Sequence, residues 1–259
     1  MIDAIELATR ARKLGVDPSS IEKDYILNCV LAAIADSGAG LVFRGGTALA
    51  RVYWPDFRLS EDLDFVTTSP GIASQLESLL SKAVDAATSR SALNLRLDFG
   101  SSKRGWSRSF VRSPEAEILI DVNLGDRAYL PVASLELDLP YSDLRGLSRK
   151  TPVVQLAEIL GNKWFMLDDR NEPRDLYDVW AGLKQFNVSF EELALGHRAK
   201  YGFTPLGAQL EGARQQLESK WTTRLAHQLA DLPAFEDAYA AVLQSYEEWH
   251  DSSHAQAER

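Results

Sequence analysis

Two acidic side chains at strand spacing are the first candidates for chemistry in this sequence. The segment Ser60-Glu61-Asp62-Leu63-Asp64-Phe65 alternates acidic and apolar residues around its centre. If this segment is a strand, Asp62 and Asp64 share one face, because side chains alternate along a strand. Two neighbouring carboxylates repel each other unless a cation lies between them, and their oxygens suit Mg²⁺ or Mn²⁺. For an isolated Asp-x-Asp, a charged strand end at the surface is the commoner explanation.

A third carboxylate, Asp121, interrupts the apolar segment Ile118–Leu124. A lone carboxylate in such a strand costs free energy unless it is paired or bound to a metal. Beside the Asp62/Asp64 strand it would complete a site for one or two metal ions. There, Asp121 would either accept the proton of an attacking hydroxyl or hold the metal that lowers the pKa of that hydroxyl.

A glycine pair follows the apolar run Leu41–Phe43 and precedes a predicted short helix, Thr47–Tyr53. In Gly45-Gly46-Thr47 the glycines allow the backbone to approach a ligand closely, and a helix N-terminus offers N–H groups to phosphate. An ordinary turn is the alternative. Arg58, four residues before Asp62, is a candidate phosphate ligand or a solvated turn residue.

Two charged residues in the C-terminal half form the last candidate pair. Lys163 and Asp178 are fifteen residues apart, on two successive predicted helices. A lysine that faces a cleft can neutralise a triphosphate in the transition state. A structural ion pair between packed helices is the alternative, since buried charges are usually paired.

The helices and strands predicted around these residues indicate an α+β domain over residues 1–150. They indicate a helical domain over residues 151–259, which begins at Thr151-Pro152. Predicted helices of the first part are Ile5–Leu14, Ile21–Ala35, Thr47–Tyr53 and Ile72–Ala87. Asp17-Pro18 marks the start of the second of these helices, and Gly38 and Gly40 lie near its end. Predicted strands are Leu41–Phe43, Leu63–Thr67, Leu93–Phe99, Phe110–Arg112 and Ile118–Leu124. The helical part contains Val153–Leu167, Asp175–Lys184, Pro205–Leu217 and Phe235–Trp249.

Composition excludes several classes of protein. With 259 residues, 45% of them hydrophobic and 25% charged, the chain resembles an ordinary globular protein of one large or two small domains. It has no run of about 18 apolar residues, so we expect no membrane span. The mixed charges of Met1–Arg12 argue against a secretory signal. The single cysteine, Cys29, excludes a disulfide framework and fits a buried core residue, so we expect a reducing, cytoplasmic setting.

Charge is distributed unevenly along the chain. The net charge of −9 argues weakly against nucleic-acid binding. Asp231–Arg259 contributes −6 of this charge, whereas Arg90–Arg112 carries a local +5. The basic segment is either a solvated face or a contact for a phosphate backbone.

Taken together, these motifs resemble the DNA polymerase β-like nucleotidyltransferase superfamily. The strings Phe43-Arg44-Gly45-Gly46-Thr47-Ala48-Leu49 and Arg58–Phe65 are similar to those of one branch, the AbiEii/AbiGii toxin family. Ile21–Tyr25 resembles the helix that precedes the family's glycine motif. Glu158, Lys163, Arg170 and Arg174–Asp178 resemble its C-terminal motif, so the resemblance covers roughly residues 20–180.

The resemblance implies a polymerase β-like core, a small mixed sheet flanked by helices, followed by a helical domain that contributes to the active-site cleft. It implies a Mg²⁺-dependent enzyme that transfers a nucleoside monophosphate from an NTP to an RNA hydroxyl at the tRNA acceptor end. The implied setting is toxin–antitoxin or phage defence, with a possible cognate antitoxin. The implied metal ligands are Asp62, Asp64 and Asp121. Gly45, Gly46, Thr47, Arg58 and Lys163 would bind the nucleotide, and Asp178 would belong to the site.

Two alternatives stay open at this point. A small-molecule nucleotidyltransferase of the aminoglycoside-modifying kind would share the three carboxylates, and the net charge of −9 suits its cationic acceptor. A nucleotide-binding regulator without turnover is the other alternative, although the presence of all three carboxylates argues against it.

Overall fold

The structure, a computed structural model, describes residues 2–68, 70–100, 105–147, 150–229 and 231–257. The chain forms two units. The first consists of Met1–Val154 with Gln228–Ala230, and the second of Gln155–His227 with Asp231–Arg259. Within the described ranges, no helix is both long and apolar enough to cross a membrane.

The first unit is built around a mixed β-sheet with strand order β3-β4-β5-β2-β1-β7-β6. Its strands are β1 (Leu41–Arg44), β2 (Asp62–Thr67), β3 (Arg96–Asp98), β4 (Trp106–Arg112), β5 (Glu117–Asn123), β6 (Ala133–Glu136) and β7 (Lys150–Val153). Pairs β2–β5 and β1–β7 are parallel, and the other neighbouring pairs are antiparallel.

Local sequence signals mark the bounds of the first two helices of this unit, whereas the helix predicted over Ile72–Ala87 begins only at Leu76 and ends at Ser91. The helices of the unit are α1 (Ala4–Leu14), α2 (Pro18–Ser37), α3 (Gly45–Ala48), which continues as a π-helical turn over Leu49–Tyr53, and α4 (Leu76–Ser91). The Asp17 side chain accepts a hydrogen bond from the Ser19 backbone N–H and so caps α2, with Pro18 in its first turn. Gly15 and Gly38 end α1 and α2 in the left-handed conformation.

One face of the sheet is buried under α2, which contacts β2, β5 and α4. Leu63 and Ile120 are partners in the β2–β5 ladder, and both are fully buried. Cys29 lies in the buried part of α2, and desolvation raises the pKa of its thiol to about 12, which fits the predicted core role. The acidic residues of β2 alternate with this apolar set, so they lie on the opposite face.

Two further predictions of local structure were wrong, and one helix was not predicted. Thr151-Pro152 does not begin the helical part, because Lys150–Val153 forms β7 and the next helix starts at Leu156. The strand predicted over Leu93–Phe99 is reduced to Arg96–Asp98, the only part that pairs with β4. The helix Phe190–Tyr201 was not predicted, although Ser189 and Glu192 form a capping box at its start.

The second unit is helical. Its helices are α5 (Leu156–Arg170), α6 (Pro173–Lys184), α7 (Phe190–Tyr201), α8 (Gly207–Leu225) and α9 (Phe235–Ala257). Trp164 is fully buried in this unit, with its ring 5.0 Å from that of Phe190 and 5.6 Å from that of Tyr246. The chain therefore has the predicted α+β class, with a helical C-terminal part.

Candidate active site

Strand pairing lines up four charged residues across one face of the sheet. In the β1–β2 ladder, Arg44 is paired with Asp64. Asp64 is also paired with Asp121 in the β2–β5 ladder, and Asp121 with Arg108 in the β4–β5 ladder. We call these four residues the row of charges. Directly opposed residues in a ladder point to the same face. Asp62 shares this face because it lies two positions before Asp64 in β2. The structure thus brings the three predicted carboxylates together on neighbouring strands, and we call Asp62, Asp64 and Asp121 the carboxylate group.

Arg108 brings a positive charge into direct contact with the carboxylate group. Its Nη2 donates a hydrogen bond to Asp121 Oδ2 at 2.9 Å. The pKa of Arg108 is raised by this hydrogen bond, by the charge of Asp121, and further by the charges of Asp62 and Asp64. Sequence analysis counted Arg108 only as part of a basic segment, because a residue's partner in the sheet cannot be read from local spacing.

Asp121 is the most buried of the three carboxylates, with 7% of the residue exposed. Its Oδ2 is bound by Arg108, but its Oδ1 is buried and has no hydrogen-bond partner among the described residues. Buried oxygens of this kind are normally satisfied, and an ionised carboxylate all the more. Asp121 therefore presents one oxygen for which the described residues supply neither a donor nor a cation.

The turn at Gly45 and Gly46, which we call the glycine turn, brings the backbone close to these side chains. Gly45 has φ +80°, and a Cβ at this position would overlap the carboxylate of Asp64. A Cβ on Gly46 would lie 2.9 Å from Arg58 Nη2 and 3.1 Å from Ser60 Oγ. Glycine is thus favoured at position 45 by both its backbone conformation and the closeness of Asp64, whereas a Cβ at position 46 would require only a shift of the Arg58 and Ser60 side chains.

Thr47 is buried and holds the start of β2 in place. Its Oγ1 donates a hydrogen bond to the Asp62 carbonyl oxygen at 2.5 Å and lies 2.8 Å from Ser60 Oγ. Only 1% of the residue is exposed. Thr47 therefore positions Asp62 through the backbone, and its predicted contact with the nucleotide stays a prediction.

Arg58 is also buried, with 4% of the residue exposed. Its Nη1 donates to the Leu59 carbonyl oxygen at 3.0 Å and to Gln228 Oε1 at 2.9 Å, while its Nη2 lies against Gly46. The alternative of a solvated turn residue is therefore wrong. The guanidinium is held beside the glycine turn, and its role as a phosphate ligand stays a prediction.

A buried ion pair attaches the glycine turn to α2. Arg51, in the π-helical turn after α3, pairs with Asp24 of α2, and each residue is only 2% exposed. Tyr141 donates a second hydrogen bond to Asp24 at 2.7 Å. This network gives a physical reason for the polar residue within the apolar pattern of α2, because it fixes the helix that follows Gly45 and Gly46.

Lys163 and Asp178 lie in a buried ionic cluster of the second unit. Lys163 Nζ is 2.6 Å from Asp178 Oδ2 and 3.1 Å from Asp175 Oδ1, and both carboxylate side chains are 0% exposed. Arg170 also donates to Asp175 through Nε and Nη2, each at 2.7 Å. The ion pair between α5 and α6, the structural alternative, is thus present. The roles of Lys163 at phosphate and of Asp178 in catalysis stay predictions.

This cluster makes the second unit sensitive to acid. Burial alone would raise the pKa of Asp175, but the charges of Lys163 and Arg170 and their hydrogen bonds lower it overall. A carboxyl whose pKa is lower in the folded state stabilises the fold above its unfolded value, near pH 4. We therefore expect the free energy of unfolding to fall as the pH drops below about 4.

Urea denaturation at several pH values from 2.5 to 5 would measure the slope of the free energy of unfolding against pH, with Asp175→Asn as the comparison. The slope of the variant should be shallower because the titrating carboxyl is gone. Equal slopes for both proteins would contradict the assigned role of Asp175.

The family comparison matches most of the chain. The family described as "Nucleotidyl transferase AbiEii toxin, Type IV TA system" matches residues 29–243. This range includes the glycine turn, the carboxylate group and the ionic cluster of the second unit. The chain therefore belongs to the AbiEii family of nucleotidyltransferase toxins. No curated protein matched the chain in the sequence comparison.

Solved structures support the same fold. JHP933 from Helicobacter pylori is 15% identical, with a TM-score of 0.57 and coverage of 94% of this chain and 97% of its own. MenT4, a nucleotidyltransferase toxin from Mycobacterium tuberculosis, is 20% identical, with a TM-score of 0.54 and coverage of 93% and 94%. At these identities the likeness concerns the fold alone, and it agrees with the polymerase β-like core predicted from the motifs.

Proposed function

We propose that the protein transfers a nucleoside monophosphate from an NTP to a hydroxyl at the acceptor end of tRNA. The observation that carries the proposal is the alignment of Asp64 with Asp121, whose buried Oδ1 lacks a hydrogen-bond partner in the described chain. Membership of a nucleotidyltransferase toxin family supports the reaction class. The tRNA acceptor is the finer part of the proposal and rests on the resemblance.

We further propose that Asp62, Asp64 and Asp121 hold Mg²⁺ or Mn²⁺. Their donors are all carboxylate oxygens, which these hard cations prefer, and a cation would satisfy Asp121 Oδ1. Among the described residues, no group of three acidic, histidine or cysteine side chains, Asp62, Asp64 and Asp121 included, is arranged to hold a metal ion as it stands. A bound ion would neutralise the triphosphate and lower the pKa of the attacking hydroxyl.

The chain's own residues have separate tasks in this reaction. The acceptor oxygen bonds to the α-phosphorus, the bond from that phosphorus to the β-bridging oxygen breaks, and pyrophosphate leaves. Arg108 fixes the Asp121 carboxylate through Oδ2 and leaves Oδ1 for the cation or for the hydroxyl proton. The glycine turn holds the backbone against Asp64, and Arg58 behind it supplies positive charge for phosphate.

Other partners and alternatives follow from the same observations. The type IV toxin–antitoxin description leads us to propose a cognate antitoxin. The net charge of −9 favours a small cationic acceptor as the second candidate. A regulator without turnover would leave the aligned carboxylates unexplained. That the helical C-terminal part contributes to the cleft stays a prediction.

Label transfer tests the proposal directly. The purified protein is incubated with Mg²⁺, total tRNA and each α-labelled NTP in turn, beside Asp62→Ala and a matched control, Asp98→Ala. Asp98 is an exposed carboxylate on the same sheet. We expect label on tRNA with the wild type and with Asp98→Ala. Asp62→Ala should lose roughly 10³-fold in rate, because several kcal/mol of charge stabilisation disappear.

The same assay separates the alternatives. Wild-type rates from Asp62→Ala would overturn the site assignment. If no α-labelled NTP labels tRNA, the RNA acceptor is wrong. The assay would then be repeated with aminoglycosides as acceptors and with γ-labelled NTP, because phosphoryl transfer also uses a metal-bound triphosphate.

A further inference from the structure

The outward face of β4 carries an exposed tryptophan beside the carboxylate group. Strand alternation places Trp106, Arg108, Phe110 and Arg112 on this face, while Ser107, Ser109 and Val111 are buried. Trp106 is 47% exposed. Within the described ranges, no aromatic ring or cation is stacked on its indole. A large flat apolar surface is thus presented to solvent on the same face as Asp121.

The position of Trp106 relative to the carboxylate group is fixed by the ladder. Trp106 is the partner of Asn123, while Arg108 is the partner of Asp121. Trp106 therefore lies two residues, about 7 Å, along the strand from the row of charges. A nucleotide whose base lay on the indole would have its ribose and phosphate beside Arg108 and its hydroxyl close to the carboxylates.

Three of the four described arginines in the basic segment Arg90–Arg112 form ion pairs. Arg90 pairs with Asp36 at 2.7 Å, and Arg112 pairs with Asp98 at 2.7 Å and Glu117 at 2.6 Å. Arg108 binds Asp121. Lys103 and Arg104, also counted in this segment, lie outside the described residues. The pairing of the described arginines argues against a long phosphate track and favours local recognition by stacking.

We propose that Trp106 is the stacking platform for the terminal base of a single-stranded RNA 3′ end, with Arg108 beside its ribose and phosphate. The inference rests on the proposed function and deepens it by naming how the acceptor is held. Stacking on an aromatic side chain with a neighbouring arginine is the usual mode of binding single-stranded nucleic acid. It requires one exposed ring and little net charge, which suits a protein of net charge −9.

The test measures the KM values of the wild type, Trp106→Ala and Trp106→Phe in the label-transfer assay. The concentration of a short RNA that ends in CCA is varied first, and the concentration of the NTP second. Tyr129→Ala, which removes another exposed aromatic ring of the first unit, is the matched control. Loss of one base stack costs about 1–3 kcal/mol, so Trp106→Ala should raise the KM for RNA about 10-fold. Its KM for NTP should stay unchanged. The KM of Trp106→Phe for RNA should lie between those of the wild type and Trp106→Ala, because phenylalanine keeps an aromatic ring. Tyr129→Ala should have the KM of the wild type.

A direct binding measurement accompanies the kinetics. Fluorescence anisotropy of a 5′-labelled RNA of the same sequence should show about 10-fold weaker binding by Trp106→Ala. Circular dichroism should show that all variants are folded. A rise in the KM for NTP instead of RNA would assign the indole to the nucleotide substrate and overturn the proposal. Unchanged RNA binding and KM would overturn it too, while Asp62-dependent labelling of RNA would leave the proposed function intact.

Discussion

Replacing Gly45 with alanine is expected to reduce nucleotide transfer by about 100-fold or more, since displacing a catalytic group by about 1 Å has that effect. The added Cβ would overlap the carboxylate of Asp64, so that side chain must leave its place opposite Asp121. The backbone at φ +80° adds about 1–2 kcal/mol of strain for any residue with a Cβ. Initial rates of label transfer, at saturating NTP and RNA, measure the loss.

Gly202→Ala separates the clash from the backbone strain. Gly202 has the same φ of +80°, and a Cβ there would meet nothing within 4 Å in the described structure. This control should lose stability through strain and retain transfer. If Gly45→Ala keeps the activity of the control, the turn does not constrain Asp64, and the proposed geometry of the carboxylate group is wrong.

Replacing Lys163 with methionine is expected to destabilise the second unit by about 3–5 kcal/mol, the usual cost of breaking a buried ion pair by removing one partner. Lys163 pairs with Asp175 and Asp178, both with fully buried side chains, and Arg170 also pairs with Asp175. Urea denaturation followed by circular dichroism gives the change in the free energy of unfolding.

Two further variants show whether the charge pair is responsible. Lys163→Met combined with Asp178→Leu removes both charges and should be more stable than Lys163→Met alone. Lys184→Met, at an exposed position of α6, should change stability by less than about 0.5 kcal/mol. A stable Lys163→Met protein with a raised KM for NTP would contradict the structural role and support the phosphate contact instead.

Local signals were sufficient for much of the scaffold. Asp17, Pro18 and Gly38 mark the bounds of α2, because capping and left-handed termination depend on neighbouring residues alone. The alternation in Asp62-Leu63-Asp64-Phe65 was likewise enough to place the two carboxylates on one face and the two apolar residues in the core. The membership of the family was also accessible, since its motifs are short and ordered along the chain.

Where local and long-range preferences conflicted, the local prediction failed. Pro152 indicated a helix start, yet Lys150–Val153 joins the sheet because Val153 pairs with Phe43 and Ser134 pairs with Pro152. Pairing partners more than 100 residues away, as Phe43 is from Val153, leave no trace in a local window. The basic segment Arg90–Arg112 was judged by charge alone, and only the fold revealed that most of its described arginines are paired with carboxylates.

The sequence by itself determined the class of fold and the family, and it predicted the three candidate carboxylates. Those properties follow from residue type and short spacing, which the chain carries in any conformation. The tertiary structure alone decided that Asp64, Asp121 and Arg108 are paired side by side across the sheet and that Trp106 is exposed beside them. It also decided that Asp121 Oδ1 has no hydrogen-bond partner among the described residues. Strand register sets these relations, and register is fixed by the packing of distant segments against a common core.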